Sequence, residues 1–173
     1  MACNFVEGSA LYCNDGIAGI QKLWLTEWSN VPQGTITETS GTITALTQNA
    51  GTKFWLVDLA PENGSLTEAM TGGLNVPNFW TQTLTFTVNK PTAKLRNWMK
   101  VAIQNRLMAL ILDSNGTYKM VGLTRGAYIP SISVTSGKMA ADFSGATITI
   151  EAKEPQEAMF VSSSVVTGLS TGS

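Results

Sequence analysis

Histidine is absent from the 173 residues, which removes the commonest general base and the commonest transition-metal ligand together. Ser-His and Cys-His nucleophilic catalysis are thereby excluded. Cys3 and Cys13 are the only thiols; two are too few for a disulfide framework or a four-cysteine zinc site, and they read as reduced, buried side chains. Ser136 and Lys138 offer a hydroxyl and an amine two positions apart, but they sit in a Ser-Gly-Lys turn with no oxyanion motif beside it. Glu151, Glu154 and Glu157 form an acidic trio broken by Lys153 and Pro155 at what reads as a strand end, and Gly16 to Gly19 lacks the lysine and spacing of a phosphate loop. No catalytic, cofactor-binding or metal-ligating residue is assigned, and the expectation is a protein without enzymatic activity or cofactor.

Two further groups bear on binding. Lys94, Arg96, Lys100 and Arg106 concentrate positive charge in one short stretch, yet no aromatic side chain alternates with them on the same face to stack nucleic-acid bases. They read as a solvated helix face, with Lys94, Arg96 and Lys100 as candidate subunit contacts. The five tryptophans, Trp24, Trp28, Trp55, Trp80 and Trp98, suit either a sugar-stacking platform or anchors in a core or subunit seam, and the second reading is preferred. Asn63-Gly64-Ser65 and Asn115-Gly116-Thr117 match glycosylation sequons but read as turns.

These residues must be held by elements, and the composition says which kind. The chain carries 11 basic and 12 acidic residues against 22 threonines, so its β faces are covered by small hydroxyls more than by ions. A net charge of −1 fits neither a basic nucleic-acid binder nor an acidic disordered tail. Period-two alternation marks strands at Lys22–Trp28, Thr35–Thr39, Thr42–Leu46, Lys53–Leu59 and, most clearly, Thr81–Val88, where Leu84, Phe86 and Val88 share one face and threonines the other. The period changes between Pro91 and Arg106. Leu95, Trp98, Met99, Ala102 and Ile103 recur at helical spacing, with Thr92 placed to cap, so a helix over about residues 92–106 is expected to bury that stripe. Asn115-Gly116 between apolar runs predicts a hairpin, and strands follow at Ala127–Val134 and Ala146–Ala152. The expected fold is mainly β: one domain over residues 1–173, an antiparallel β-sandwich or half-barrel with one flanking α-helix.

Three segments fall outside that scheme. Residues 1–19 read as an irregular N-terminal arm with neither the basic start nor the apolar stretch of a signal peptide. The longest apolar run, Leu107–Leu112, is far short of a membrane span, so no membrane anchor is expected. Residues 60–78 carry Pro61, Gly64, Gly72, Gly73 and Pro77, break both periods, and read as a long assembly loop presenting Leu66, Met70, Leu74 and Val76 to a neighbouring subunit. Residues 161–173 are rich in Ser, Gly and Thr and read as a flexible tail.

Several of these stretches carry a resemblance. Met1-Ala2-Cys3 with Cys13 and Gly16–Ile20, the run from Thr81 to Asp113, the Asp113–Tyr118 hairpin, and Thr135–Lys138 followed by Asp142–Ile150 resemble a family of virion structural proteins of tailed phages infecting Bacteroidetes-type hosts, over about residues 1–160. The order of elements also resembles the tail-tube fold shared by phage tail tubes and the type VI secretion tube, two β-sheets with a flanking helix. What the resemblance implies is self-association into hexameric rings that stack into a hollow cylinder within the virion tail, contact with other tail or head proteins, and double-stranded DNA as a partner only in transit. A head-tail connector or capsid decoration protein, and a β-sandwich carbohydrate-binding or adhesin module, are the alternatives. Synthesis and assembly in the host cytoplasm are expected.

Overall fold

The computed structural model describes residues 17–172 apart from residues 75, 91 and 140. In chain order the elements are β1 (Ile20–Glu27), β2 (Thr37–Thr39), β3 (Thr42–Ala45), β4 (Phe54–Val57), β5 (Gly64–Gly73), β6 (Val76–Asn89), α1 (Ala93–Gln104), β7 (Leu107–Asp113), β8 (Tyr118–Val121), β9 (Tyr128–Thr135), β10 (Gly145–Glu154), β11 (Met159–Val161), α2 (Ser163–Gly168) and β12 (Thr171–Gly172). They build two sheets. The larger has the order β12-β4-β1-β7-β8-β11-β3-β2 and the smaller β5-β6-β10-β9. Among the described residues neither closes into a barrel, and the two sheets with one main helix fit the expected sandwich-like arrangement.

Alternation explains the packing of the smaller sheet. Leu84 and Phe86 of β6 and Ala146, Ile148, Ile150 and Ala152 of β10 are buried, and they meet Ile20, Leu23 and Leu25 of β1 and Leu107, Ala109 and Ile111 of β7 in one core between the sheets. The unbroken apolar run of β7 has a different cause. Met108 and Leu110 point to the opposite face, where Val31, Ile43, Phe54, Met120, Met159, Val161, Val165 and Leu169 form a second core, so β7 is covered on both sides and needs no polar alternation. The larger sheet is mixed, because β11 pairs with β3 and β12 with β4 in parallel.

The helix spans Ala93–Gln104, and Thr92 caps it by accepting the Leu95 N–H at 3.1 Å. Met99 and Ala102 are buried in the intersheet core, with Leu95 and Trp98 partly buried against it. Ile103, expected in that stripe, is 54% exposed. At about 100° per residue it lies roughly a quarter-turn from the centre of the buried face.

Two segments are more ordered than their composition suggests. β5 and β6 pair as one long antiparallel hairpin, with rungs from Gly64↔Phe86 to Gly73↔Val76. Its glycines are small where space is short: a Cβ on Gly64 would come within 3.1 Å of Ile20, and one on Gly72 would collide with the Asn78 side chain. Residues 161–172 are not a free tail, since Val161, Val165 and Leu169 recur every four positions and fill the second core, after which β12 joins β4. Of the N-terminal arm, residues 1–16 lie outside the described residues, Cys3 and Cys13 among them; Ile17 donates its N–H to Asn115 Oδ1 at 2.8 Å. Among the described residues no helix is long and apolar enough to cross a membrane.

A candidate channel and assembly surface

The outer face of the smaller sheet is a field of hydroxyls. Residues directly opposite in an antiparallel ladder share a face, and the register places Thr147 and Ser133 in one row, beside Thr87 whose own hydroxyl is buried, and Ser65, Thr85, Thr149 and Ser131 in the next. Thr67, Thr83, Glu151 and Tyr128 make a third row; Ala69, Thr81 and Lys153 make a fourth. Charge enters only at the last two rows and is matched there. Glu151 Oε1 accepts the Tyr128 hydroxyl at 2.6 Å and lies 3.7 Å from Lys153 Nζ. That hydrogen bond, with lesser contributions from desolvation and from the carboxylate charge, raises the Tyr128 pKa above the usual tyrosine value.

The edges of the two sheets differ. The larger sheet ends in β12, two residues long, and β2, three residues long, short edges that give a partner strand little to pair with. The smaller sheet ends in β5, of ten residues, and β9, of eight. Of these only Glu68 is charged, and it faces inward, where its Oε1 meets Lys119 Nζ at 2.9 Å and its Oε2 accepts the Ala158 N–H at 2.7 Å. Under the β5 edge an open cleft of about 580 Å³ runs between the sheets, lined by Leu66, Glu68, Ile111 and Lys119 among others.

At the two ends of this sheet apolar side chains stand in solvent. The β5–β6 tip exposes Met70 (55%) and Leu74 (103%), while Leu66 is partly buried against the intersheet core and lines the cleft under β5. The Val76 side chain lies outside what the structure describes. At the opposite end the β9–β10 loop exposes Met139 and Phe143 and is held by Asp142, whose carboxylate accepts the N–H groups of Lys138 and Met139 and so titrates below the usual aspartate value.

Lys94, Arg96 and Lys100 are exposed on α1. Ser136 and Lys138 lie in the exposed loop without forming a pair. The acidic trio does not converge: Glu151 faces outward, Glu157 is exposed, and Glu154 is buried, accepting the N–H groups of Thr124 and Arg125. Sequence reasoning missed the polar groups that rivet the sheets together, Glu68, Gln82 and Glu154. Their signal was a polar residue at an inward position of an alternating strand. No protein-family model, curated protein or solved structure matches the chain.

Proposed function

We propose that the chain is a structural subunit of a phage tail tube, in which copies join edge to edge through β5 and β9, rings stack, and the hydroxyl face of the smaller sheet lines a channel for double-stranded DNA. The observation that carries this reading is the pairing of a long, nearly uncharged hydroxyl face with two long open edges on the same sheet. Open edges of this length invite another strand, although Pro130 removes one backbone donor from β9. A wall of hydroxyls whose one ammonium, Lys153, is matched by Glu151 has little to hold phosphates, because retention of DNA rests on cations that displace its counterions.

Stacking follows from the apolar ends. The β5–β6 tip and the β9–β10 loop lie at opposite ends of one sheet, so a copy displaced along the strands brings tip to loop. Such a heterologous contact repeats without closing and generates a filament.

Negative-stain imaging of the purified protein tests the reading directly. Rings and tubes with a central channel are the expected result. Single rings that never stack would favour the connector alternative, and a protein that stays monomeric at high concentration would overturn both.

A further inference from the structure

We propose that the groove between α1 and strands β1 and β4 is a binding site for one neutral sugar ring. It lies on the helix flank, apart from the hydroxyl face, and does not depend on assembly. Its volume is about 180 Å³, below the roughly 300–1,000 Å³ of sites for drug-sized ligands, which suits a single ring. Trp55 and Trp98 line it together with Glu27, Asn30 and Asn105.

The apolar half of the site is built. Trp55 is 51% exposed, yet its indole is fixed from behind, since a Cβ on Gly172 would come within 2.8 Å of Trp55 Cε3 and Cζ3. Strand β12 therefore presents bare backbone to the ring and sets its position before any ligand arrives. Trp98 is anchored by packing against the intersheet core.

The polar half has acceptors to spare. Asn105 Nδ2 donates to Glu27 Oε1 at 3.4 Å and to the Val101 carbonyl at 3.2 Å, and Asn30 Nδ2 donates to Thr26 Oγ1 at 3.0 Å. Among the described residues, both amide oxygens and the second Glu27 oxygen are then left to accept hydroxyl protons. A pyranose matches both halves, with a C–H face for the indoles and a rim of hydroxyls for the acceptors. The groove itself carries the Glu27 charge, which disfavours an anion even with Lys53 Nζ 5.8 Å from the Trp55 ring centre, and a purely apolar ligand would strip water from Glu27 and the amides without replacing its hydrogen bonds.

Ligand-observed saturation-transfer NMR tests this on monomer or tube alike, so the outcome is separate from that of the tube reading. The probes are the methyl pyranosides of glucose, galactose and mannose, and N-acetylglucosamine. At least one should receive saturation on its ring C–H protons, with affinity weakened by about tenfold or more in both Trp55→Ala and Asn105→Ala. Gly172→Ala, which displaces the indole without removing a contact atom, should weaken it too, with circular dichroism unchanged in all three variants. The proposal fails if no probe is saturated, or if the folded variants bind as the parent does. It fails equally if the groove tryptophans change their fluorescence only with protein concentration, which would mean that a second copy covers them.

Discussion

Gln82 occupies an inward position of β6 where alternation calls for an apolar side chain, and it is 2% exposed. Its Oε1 accepts the Gly122 N–H at 3.0 Å and its Nε2 donates to the Gln156 carbonyl at 3.1 Å, so one side chain ties the smaller sheet to two loops of the larger. Gln82→Leu keeps the volume but leaves a buried N–H and C=O unpaired, at about 1–3 kcal/mol; urea melts should show an unfolding free energy lowered by that much, with the m-value unchanged. On the outer face, Tyr128 carries a pH dependence. Its pKa is raised by Glu151, so the stability from this hydrogen bond is fully present below the unfolded tyrosine value near 10 and is lost as pH rises through the higher folded value. Absorbance titration in a background with the other tyrosines replaced by phenylalanine should show Tyr128 ionising late. Glu151→Gln should bring its midpoint back toward 10 by removing the carboxylate charge and its stronger acceptor.

Elements were legible wherever a residue's face is set by local period alone. The β6 alternation, the Asn115-Gly116 hairpin and the Thr92 cap all follow from nearest neighbours along the chain. The assignment of 60–78 to a loop erred because Glu68 interrupts the apolar alternation between Leu66 and Met70; its burial is explained only by Lys119 and the Ala158 N–H, partners distant in sequence. The C-terminal segment hid its Val161, Val165, Leu169 spacing among serines, and its parallel pairing with β4 leaves no local mark. The hydroxyl field was partly readable as the threonine face of β6, but its width needed the register with β5, β9 and β10. For α1 the stripe was right at Met99 and Ala102 and wrong at Ile103, where exposure depends on how much of the helix the sandwich covers. Met99→Ala should therefore cost about 2–5 kcal/mol, whereas Ile103→Ala should stay within about 0.5 kcal/mol. Equal shifts in denaturant melts of the two variants would show that the helix sits differently on the core.

For the whole molecule, the question is whether assembly can be separated from folding, and the hairpin gives the means. Its last tie to the larger sheet is at Glu68; the five residues from Ala69 to Gly73 continue for about 17 Å at roughly 3.4 Å each, with Met70 and Leu74 uncovered. Replacing all of Gly64–Val76 would remove Glu68, Leu66 and the rungs that close the sandwich, and would confuse the two effects. Replacing only Thr71–Phe79 with Asn-Gly keeps Met70 opposite Trp80, as in the native register, and supplies the two-residue turn that a hairpin favours. This shortened protein should retain its β-type circular dichroism and still form rings through β5 and β9, but filaments should no longer grow. Substituting Met139 and Phe143 with serine removes the other half of the same contact and should arrest growth at the same stage, since a head-to-tail contact fails whichever partner is lost. Tubes of normal length from either protein, seen by negative-stain imaging, would place the stacking contact elsewhere on the subunit.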